Sequence, residues 1–417
     1  MGSLVIQGAY PLKGQVRVSG SKNAALPIMA ACLMCPGEVR LSGVPDLEDV
    51  TVMAEVLRLL GAGVKRKADE LIIDARDVNA VELTERISRK MRASNLVLGP
   101  LLSRFKHARV AYPGGCAIGS RPMDLHLKGF RDLGYNINEE FGFMEGKGSA
   151  AGGKEILLDI PSVGATENII MAAVSAPGHT VIRNAAREPE IIDLQNFLNR
   201  MGARVRGAGL DTVRIEGVSQ LHGVDYKIIP DRIEAGTFMA AAAIGRGDVF
   251  IENVITEHLQ PVILKLREMG LEILNYQTGV RVTGKNTLIP IDLKTMPYPG
   301  FPTDMQAQMM SLLATVPGTS MIVETIFENR FMHVQELRRM GALIKIEGRA
   351  AIIKGKNHLE GAVVEATDLR AGAALIIAGL YAEGKTEICR IDHIDRGYEN
   401  IHLKLQGIGA RIERKDH

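Results

Sequence analysis

Apolar positions along this chain switch repeatedly between two periods. Stretches apolar on every side, such as residues 240–244 and 371–380, predict buried helices. Alternating stretches such as Gly37-Glu38-Val39-Arg40-Leu41 and Gly247-Asp248-Val249-Phe250-Ile251 predict half-buried strands. A helical run that ends in an apolar residue, then Gly, then an alternating strand, recurs six times, at Gly61, Gly134, Gly202, Gly270, Gly341 and Gly409. The steps between these glycines are 68 to 73 residues. Glycine just past a last helical turn is the usual left-handed helix end, and chance does not hold a period over six matches. Each unit reads strand, buried helix, strand, amphipathic helix, strand. The pattern predicts an α/β fold of two similar domains with three repeated units each, buried helices inside and sheets and helices around them.

A second glycine opens a strand in five units, at Gly37, Gly178, Gly247, Gly318 and Gly384. The second unit departs. Lys106 stands at that position, and 28 residues separate it from Gly134, against 23 to 25 elsewhere. The surplus falls in residues 113–126, Pro-Gly-Gly-Cys-Ala-Ile-Gly-Ser-Arg-Pro-Met-Asp-Leu-His. A cysteine in a glycine-rich loop beside Arg121 and His126 has the exposure and positive surroundings that thiolate chemistry needs. The plain alternative is a surface turn. An insertion at one point of a repeated scaffold favours a functional loop.

The buried helices begin with polar residues: Ser19-Gly20-Ser21-Lys22-Asn23, Lys90-Met91-Arg92-Ala93-Ser94, residues 162–168, Asp231-Arg232-Ile233-Glu234, residues 301–306 and Thr367-Asp368-Leu369-Arg370. Serine, threonine and aspartate there are ordinary N-caps. Lys22, Arg92, Arg232 and Arg370 are not, because the helix dipole disfavours cations at that end; bound anions would account for them. The connections at residues 186–190, 327–330 and 393–399 add Arg396 and, less strongly, Arg330 as ligand candidates.

Composition narrows the partners. Lys+Arg 50 against Asp+Glu 48 and 4% aromatics exclude a nucleic-acid footprint, so an anion must be held by local charge. No apolar run reaches membrane-spanning length, and the N-terminus does not read as a signal peptide. Four cysteines make no disulfide framework, and Cys32 and Cys35 sit in an apolar helix over residues 24–35. A cytoplasmic protein is expected. Residues 148–155 nearly spell a phosphate-binding loop but end in Glu155 and read as a hairpin turn between two strands. No metal-ligand spacing occurs, so neither metal nor cofactor is expected.

Residues 19–27, 113–126, 185–191, 230–237, 301–308, 324–333 and 393–399 together resemble the enolpyruvyl transferases, in family order and over essentially the whole chain. The resemblance implies two inside-out α/β domains, residues 22–229 and residues 1–21 with 230–417, and an active site between them. It implies transfer of the enolpyruvyl group of phosphoenolpyruvate to the 3′-hydroxyl of UDP-N-acetylglucosamine, with release of phosphate, at the first committed step of bacterial peptidoglycan synthesis. No obligate protein partner is implied. Cys116 would donate the proton, form a covalent pyruvate adduct and open the epoxide fosfomycin. Asp304 would take the sugar hydroxyl proton. Lys22 and Arg396 belong with this catalytic group. Lys22, Asn23, Arg121, Arg370 and Arg396 would hold phosphoenolpyruvate. Arg92, Arg121, Pro122, Met123, Asp124, Leu125, Ser162, Val163, Gly164, Asp304 and Ile326 would line the nucleotide-sugar site. His126, Glu188, Asp231 and Asp368 would support them from behind. Glu48 and Ile160 stand where some members carry lysine, which removes two possible positive contacts. The rival readings are the shikimate 3-phosphate branch of the family and a non-catalytic UDP-sugar-binding paralogue.

Overall fold

A computed structural model describes residues 2–114, 119, 122–285 and 287–415. The chain forms two compact units. Of the described residues, one is built from residues 2–19 and 230–415, the other from residues 20–114 and 122–229. Each unit has its own apolar core, one spanning Ala24 to Ile228 and the other Leu4 to Ile412.

Among the described residues, six four-stranded sheets share one plan. In the sheet of Lys154–Leu157, His179–Arg183, Arg204–Arg206 and Thr212–Glu216, the first strand runs parallel to the second, and the fourth lies antiparallel between second and third. The buried helix Val163–Ala173 joins the first two strands, and the amphipathic helix Pro189–Arg200 joins the second and third. The fourth strand is absent from the pattern read along the chain. It is a short return strand that closes a hairpin with the third, as Glu70–Asp74 does with Gly63–Lys67. Three sheets are completed from a distance. Asp225–Lys227 runs parallel to Glu38–Ser42, Lys13–Arg17 parallel to Asp248–Glu252, and Ser3–Gln7 lies between Lys385–Cys389 and Arg411–Lys415.

The six helix-ending glycines all have positive φ, from +89° at Gly341 to +105° at Gly202. Lys106, standing where other units carry glycine, is also left-handed, at φ 59°. Of the glycines at the equivalent position, Gly178, Gly318 and Gly384 also have positive φ, whereas Gly37 and Gly247 do not. One expectation fails. Residues 148–153 are no hairpin turn, because Phe143–Lys147 belongs to one sheet and Lys154–Leu157 pairs in parallel with His179–Arg183 in the next. The near P-loop is a connection between repeats.

Small side chains let the helices of each unit pass close together. Arg232–Ile244 is buried from Ile233 onward, Gln306–Leu313 throughout, and Leu369–Tyr381 from Arg370 to Leu380. In the other unit, a methyl group on Gly99 would lie 2.4 Å from the carbonyl oxygen of Asn168. Cys32 and Cys35 end the Lys22–Ala31 helix and its tightened last turn Cys32–Met34. Burial pushes both thiols up, and Cys32 gives its hydrogen to the Ile28 carbonyl, 3.3 Å away, so this pair packs rather than reacts. Among the described residues, no helix is long and apolar enough to cross a membrane, and no group of three or more His, Cys, Asp or Glu is placed to hold a metal ion.

Gly99→Ala is predicted to cost about 1–3 kcal/mol, since the obstructing atom is backbone and cannot rotate away. Urea unfolding would show a lower midpoint; an unchanged midpoint would mean the two helices do not approach this closely.

Candidate active site

In the unit containing Gly20–Ile229, Lys22 opens its helix after the N-cap Ser21. Its ammonium meets the Asp49 carboxylate at 2.9 Å, with 12% and 5% of the two side chains exposed. A carboxylate therefore balances a cation that the helix dipole disfavours. Nothing in the sequence marks Asp49, because an acidic first turn of Glu48–Leu59 is ordinary dipole compensation. Asn23, next on the helix, is exposed, as are Glu48 and Ile160.

The other two buried helices of this unit meet at Asn168. Its Oδ1 accepts from the Gly99 N–H at 2.9 Å, and its Nδ2 donates to the Asn95 carbonyl at 3.2 Å. The same Nδ2 lies 3.0 Å from His126 Nδ1. With the amide oriented by Gly99, His126 Nδ1 accepts, and the ring's hydrogen sits on Nε2. Burial, aided by the charge of Arg92, pushes this imidazole down to about 3. His126 is therefore a neutral ring beside the helix start at Ser162–Gly164; a methyl group on Gly164 would be 3.2 Å from its Cε1. Ser162 caps that helix, accepting from Ala165 N–H at 3.4 Å.

Arg92 opens the turn Arg92–Val97 and is partly exposed. Pro122 and Asp124 are exposed and Leu125 is half-buried. Met123 is 3% exposed, its sulfur 3.0 Å from Asn95 Nδ2, so only its backbone can face a nucleotide. Glu188 is half-buried at the N-cap of Pro189–Arg200. Burial, with Glu190 and Glu188 nearby, holds the Glu167 carboxyl well above its ordinary range. Cys116 and Arg121 lie outside the described residues.

In the other unit, Asp304 sits between two guanidiniums. Arg330 Nη2 donates to Oδ1 at 2.7 Å and Arg370 Nη2 to Oδ2 at 2.9 Å. The arginine side chains are 3% and 5% exposed, that of Asp304 28%. Only the carboxylate reaches solvent, and the cations back it. Glu324 fixes the approach to this residue: its Oε2 accepts from Thr303 Oγ1 at 2.9 Å, and its Oε1 from the N–H groups of Ile326 and Phe327 at 2.8 and 3.1 Å. Ile326 is thereby placed next to the same segment, its side chain half-buried.

Asp231 and Asp368 prove to be N-caps. Asp231 Oδ1 accepts from Ile233 and Glu234 N–H at 2.7 and 3.0 Å, and Asp368 Oδ1 from Arg370 and Ala371 N–H at 2.9 and 3.1 Å. Arg396 is half-buried at the end of the short helix Asp392–Asp395. Arg232 lies 5.6 Å from the Tyr298 ring centre. The starts of this unit's three buried helices converge, since Arg370 reaches Asp304 and Gln308 Nε2 reaches Thr237 Oγ1 at 3.3 Å.

Sheets of one plan repeated around buried helices define the α/β class of the enolpyruvyl transferases. The chain belongs to the EPSP synthase (3-phosphoshikimate 1-carboxyvinyltransferase) family, whose model matches residues 6–405. It is 57% identical over 411 residues to UDP-N-acetylglucosamine 1-carboxyvinyltransferase 1 of Caldanaerobacter subterraneus subsp. tengcongensis, covering 99% of each chain. It is 53% identical over 414 residues to UDP-N-acetylglucosamine 1-carboxyvinyltransferase of Halothermothrix orenii, covering 99% of this chain and 100% of that one. Among solved structures, the enolpyruvyl transferase NikO from Streptomyces tendae matches with TM-score 0.90 at 25% identity over 99% of both chains. An EPSP synthase from Acinetobacter baumannii shares the fold, at TM-score 0.78 and 20% identity over the full length of both.

The His126 geometry predicts an acid sensitivity. An unfolded histidine binds its proton near pH 6.5, whereas the folded ring takes it up only at about 3. The stability this group supplies is complete above pH 6.5 and is lost as pH falls from there toward 3. Between pH 7 and 5 the wild type should lose about 2 kcal/mol more unfolding free energy than His126→Gln, measured by urea titration. Equal losses would show that the ring titrates normally.

Proposed function

We propose that this protein transfers the enolpyruvyl group of phosphoenolpyruvate to the 3′-hydroxyl of UDP-N-acetylglucosamine and releases phosphate, in bacterial peptidoglycan synthesis. The near full-length relatives at 53% to 57% identity support the acceptor. The geometry that carries the reading is the Asp304 carboxylate, open to solvent on one side and backed by two buried guanidiniums. Such a group has an acceptor for a hydroxyl proton beside cations that attract an anionic substrate.

The chemistry then runs by addition and elimination. Cys116 delivers a proton to C3 of phosphoenolpyruvate, and C2 becomes electrophilic. The 3′-oxygen bonds to C2 while Asp304 takes its hydrogen. The tetrahedral intermediate breaks its C2–O bond to phosphate, which leaves with the electron pair, and a C3 proton returns to the Cys116 thiolate, which restores the double bond. Lys22, Asn23, Arg121, Arg370 and Arg396 hold the phosphate and carboxylate. Arg92, the helix start at Ser162–Gly164, and residues 122–125 hold the nucleotide. His126 stays neutral, so it can orient groups there without adding a charge that changes near neutral pH. The substrates are cytoplasmic metabolites, and we place the enzyme in that compartment.

The test is phosphate release from phosphoenolpyruvate with UDP-N-acetylglucosamine and with shikimate 3-phosphate as parallel acceptors. Release with the UDP-sugar alone, reduced about 100-fold or more in Cys116→Ser, is expected. Release with shikimate 3-phosphate would move the chain to the other branch of its family. Release with neither would make it a binding protein.

A further inference from the structure

One buried hydroxyl ties the three helix starts around Asp304 together, and it belongs to Tyr398. The residue is 1% exposed. Its oxygen lies 3.1 Å from Arg370 Nη1, 3.3 Å from Gln308 Nε2 and 2.9 Å from Thr237 Oγ1. The direction of each bond follows from the partners. Guanidinium and amide nitrogens only donate. The Gln308 amide is oriented by its second bond, Nε2 to the Asp304 carbonyl at 2.8 Å; turned over, it would set oxygen against oxygen. Thr237 gives its own hydrogen to the Ile233 carbonyl at 2.8 Å, so its oxygen is left to accept. Tyr398 therefore accepts from Arg370 and Gln308 and donates to Thr237. Burial pushes the phenol up, against the pull of Arg370, which keeps it protonated and able to fill both roles.

The consequence falls on Arg370. Its guanidinium has one nitrogen, Nη1, held from behind by Tyr398, while the other, Nη2, points at Asp304 Oδ2. We propose that Tyr398 is a positioning residue for the transfer reaction. Its hydroxyl fixes Nη1 so that the opposite edge of Arg370 stays aimed at Asp304 and at the anionic end of phosphoenolpyruvate. This rests on the reading of Arg370 as a ligand of that anion. A long side chain without the clamp would have to be ordered anew at each binding event, and that cost appears in the affinity for the anion. Phenylalanine would keep the ring and remove one atom, leaving a buried Arg370 N–H without its Tyr398 acceptor and the Thr237 oxygen with Gln308 Nε2 in place of the phenol as donor.

The experiment is a kinetic cycle of Tyr398→Phe, Arg370→Lys and the double variant, with melting temperature as the check on folding. Tyr398→Phe is expected to raise KM for phosphoenolpyruvate about 10-fold, with kcat changed less than about 3-fold and the calorimetric Kd for UDP-N-acetylglucosamine unchanged. Arg370→Lys should raise the same KM. Adding Tyr398→Phe to it should then cost less than about 2-fold more, because both act through one contact. Thr237→Val, which removes the acceptor of the phenol, should move KM in the same direction by less. If Arg370→Lys raises KM and Tyr398→Phe does not, the positioning role is overturned while Arg370 remains a ligand. If Arg370→Lys leaves KM unchanged, the reading beneath the proposal fails and the proposal falls with it. A Tyr398→Phe protein with a lower melting temperature and both substrates equally affected has lost only a structural contact, which also overturns it.

Discussion

A carboxylate shared by two buried guanidiniums sets the demands on the Pro230–His417 unit. Moving Arg330 and Arg370 out of water is costly, and Asp304 offsets that cost only if the geometry holds. The fold supplies that geometry from several directions. Glu324 ties Thr303 to the backbone of Ile326 and Phe327, and Gln308 reaches back to the Asp304 carbonyl. Asp368 caps the helix that carries Arg370, so the arginine leaves its backbone at a fixed point. The arrangement is rigid toward the core and open toward solvent at the carboxylate alone.

The other unit solves a similar problem with neutral groups. Asn168 reads the Gly99 N–H on one side and His126 on the other, so a backbone contact between two helices decides which ring nitrogen carries hydrogen. Lys22 is paired with Asp49 just as Arg370 is paired with Asp304. In both units a cation at a helix start, disfavoured by the dipole, has a carboxylate against it. An incoming anion would then share or replace that carboxylate's contacts.

Much of this was legible in the chain because repetition amplifies weak signals. A single Gly after a helix says little; six of them, 68 to 73 residues apart, show the unit, and all six have positive φ. Lys106 shows the limit of reading residue types, since it takes the left-handed conformation without being glycine. A return strand is hard to read along the chain because a short hairpin partner such as Glu70–Asp74 looks like the strand before it. The connection at residues 148–153 reads as a hairpin along the chain because pairing with His179–Arg183 is not local. At the site, Arg370 and Lys22 stand out in the sequence as cations at helix starts, and Asp304 only through the family resemblance. Asp49, Tyr398 and Thr237 did not, because a buried partner has the composition of an ordinary helix turn or core. The side chain of Met123 faces inward for a reason only packing reveals.

The central claim is that Asp304 accepts the hydroxyl proton while Arg330 and Arg370 hold it in place. Asp304→Asn keeps the shape and an oxygen for one guanidinium, and it removes the basic group. Single-turnover phosphate release should fall about 100-fold or more, while both substrates still bind with Kd values within about 3-fold of wild type. Release at the wild-type rate in a variant that binds both substrates would contradict the claim.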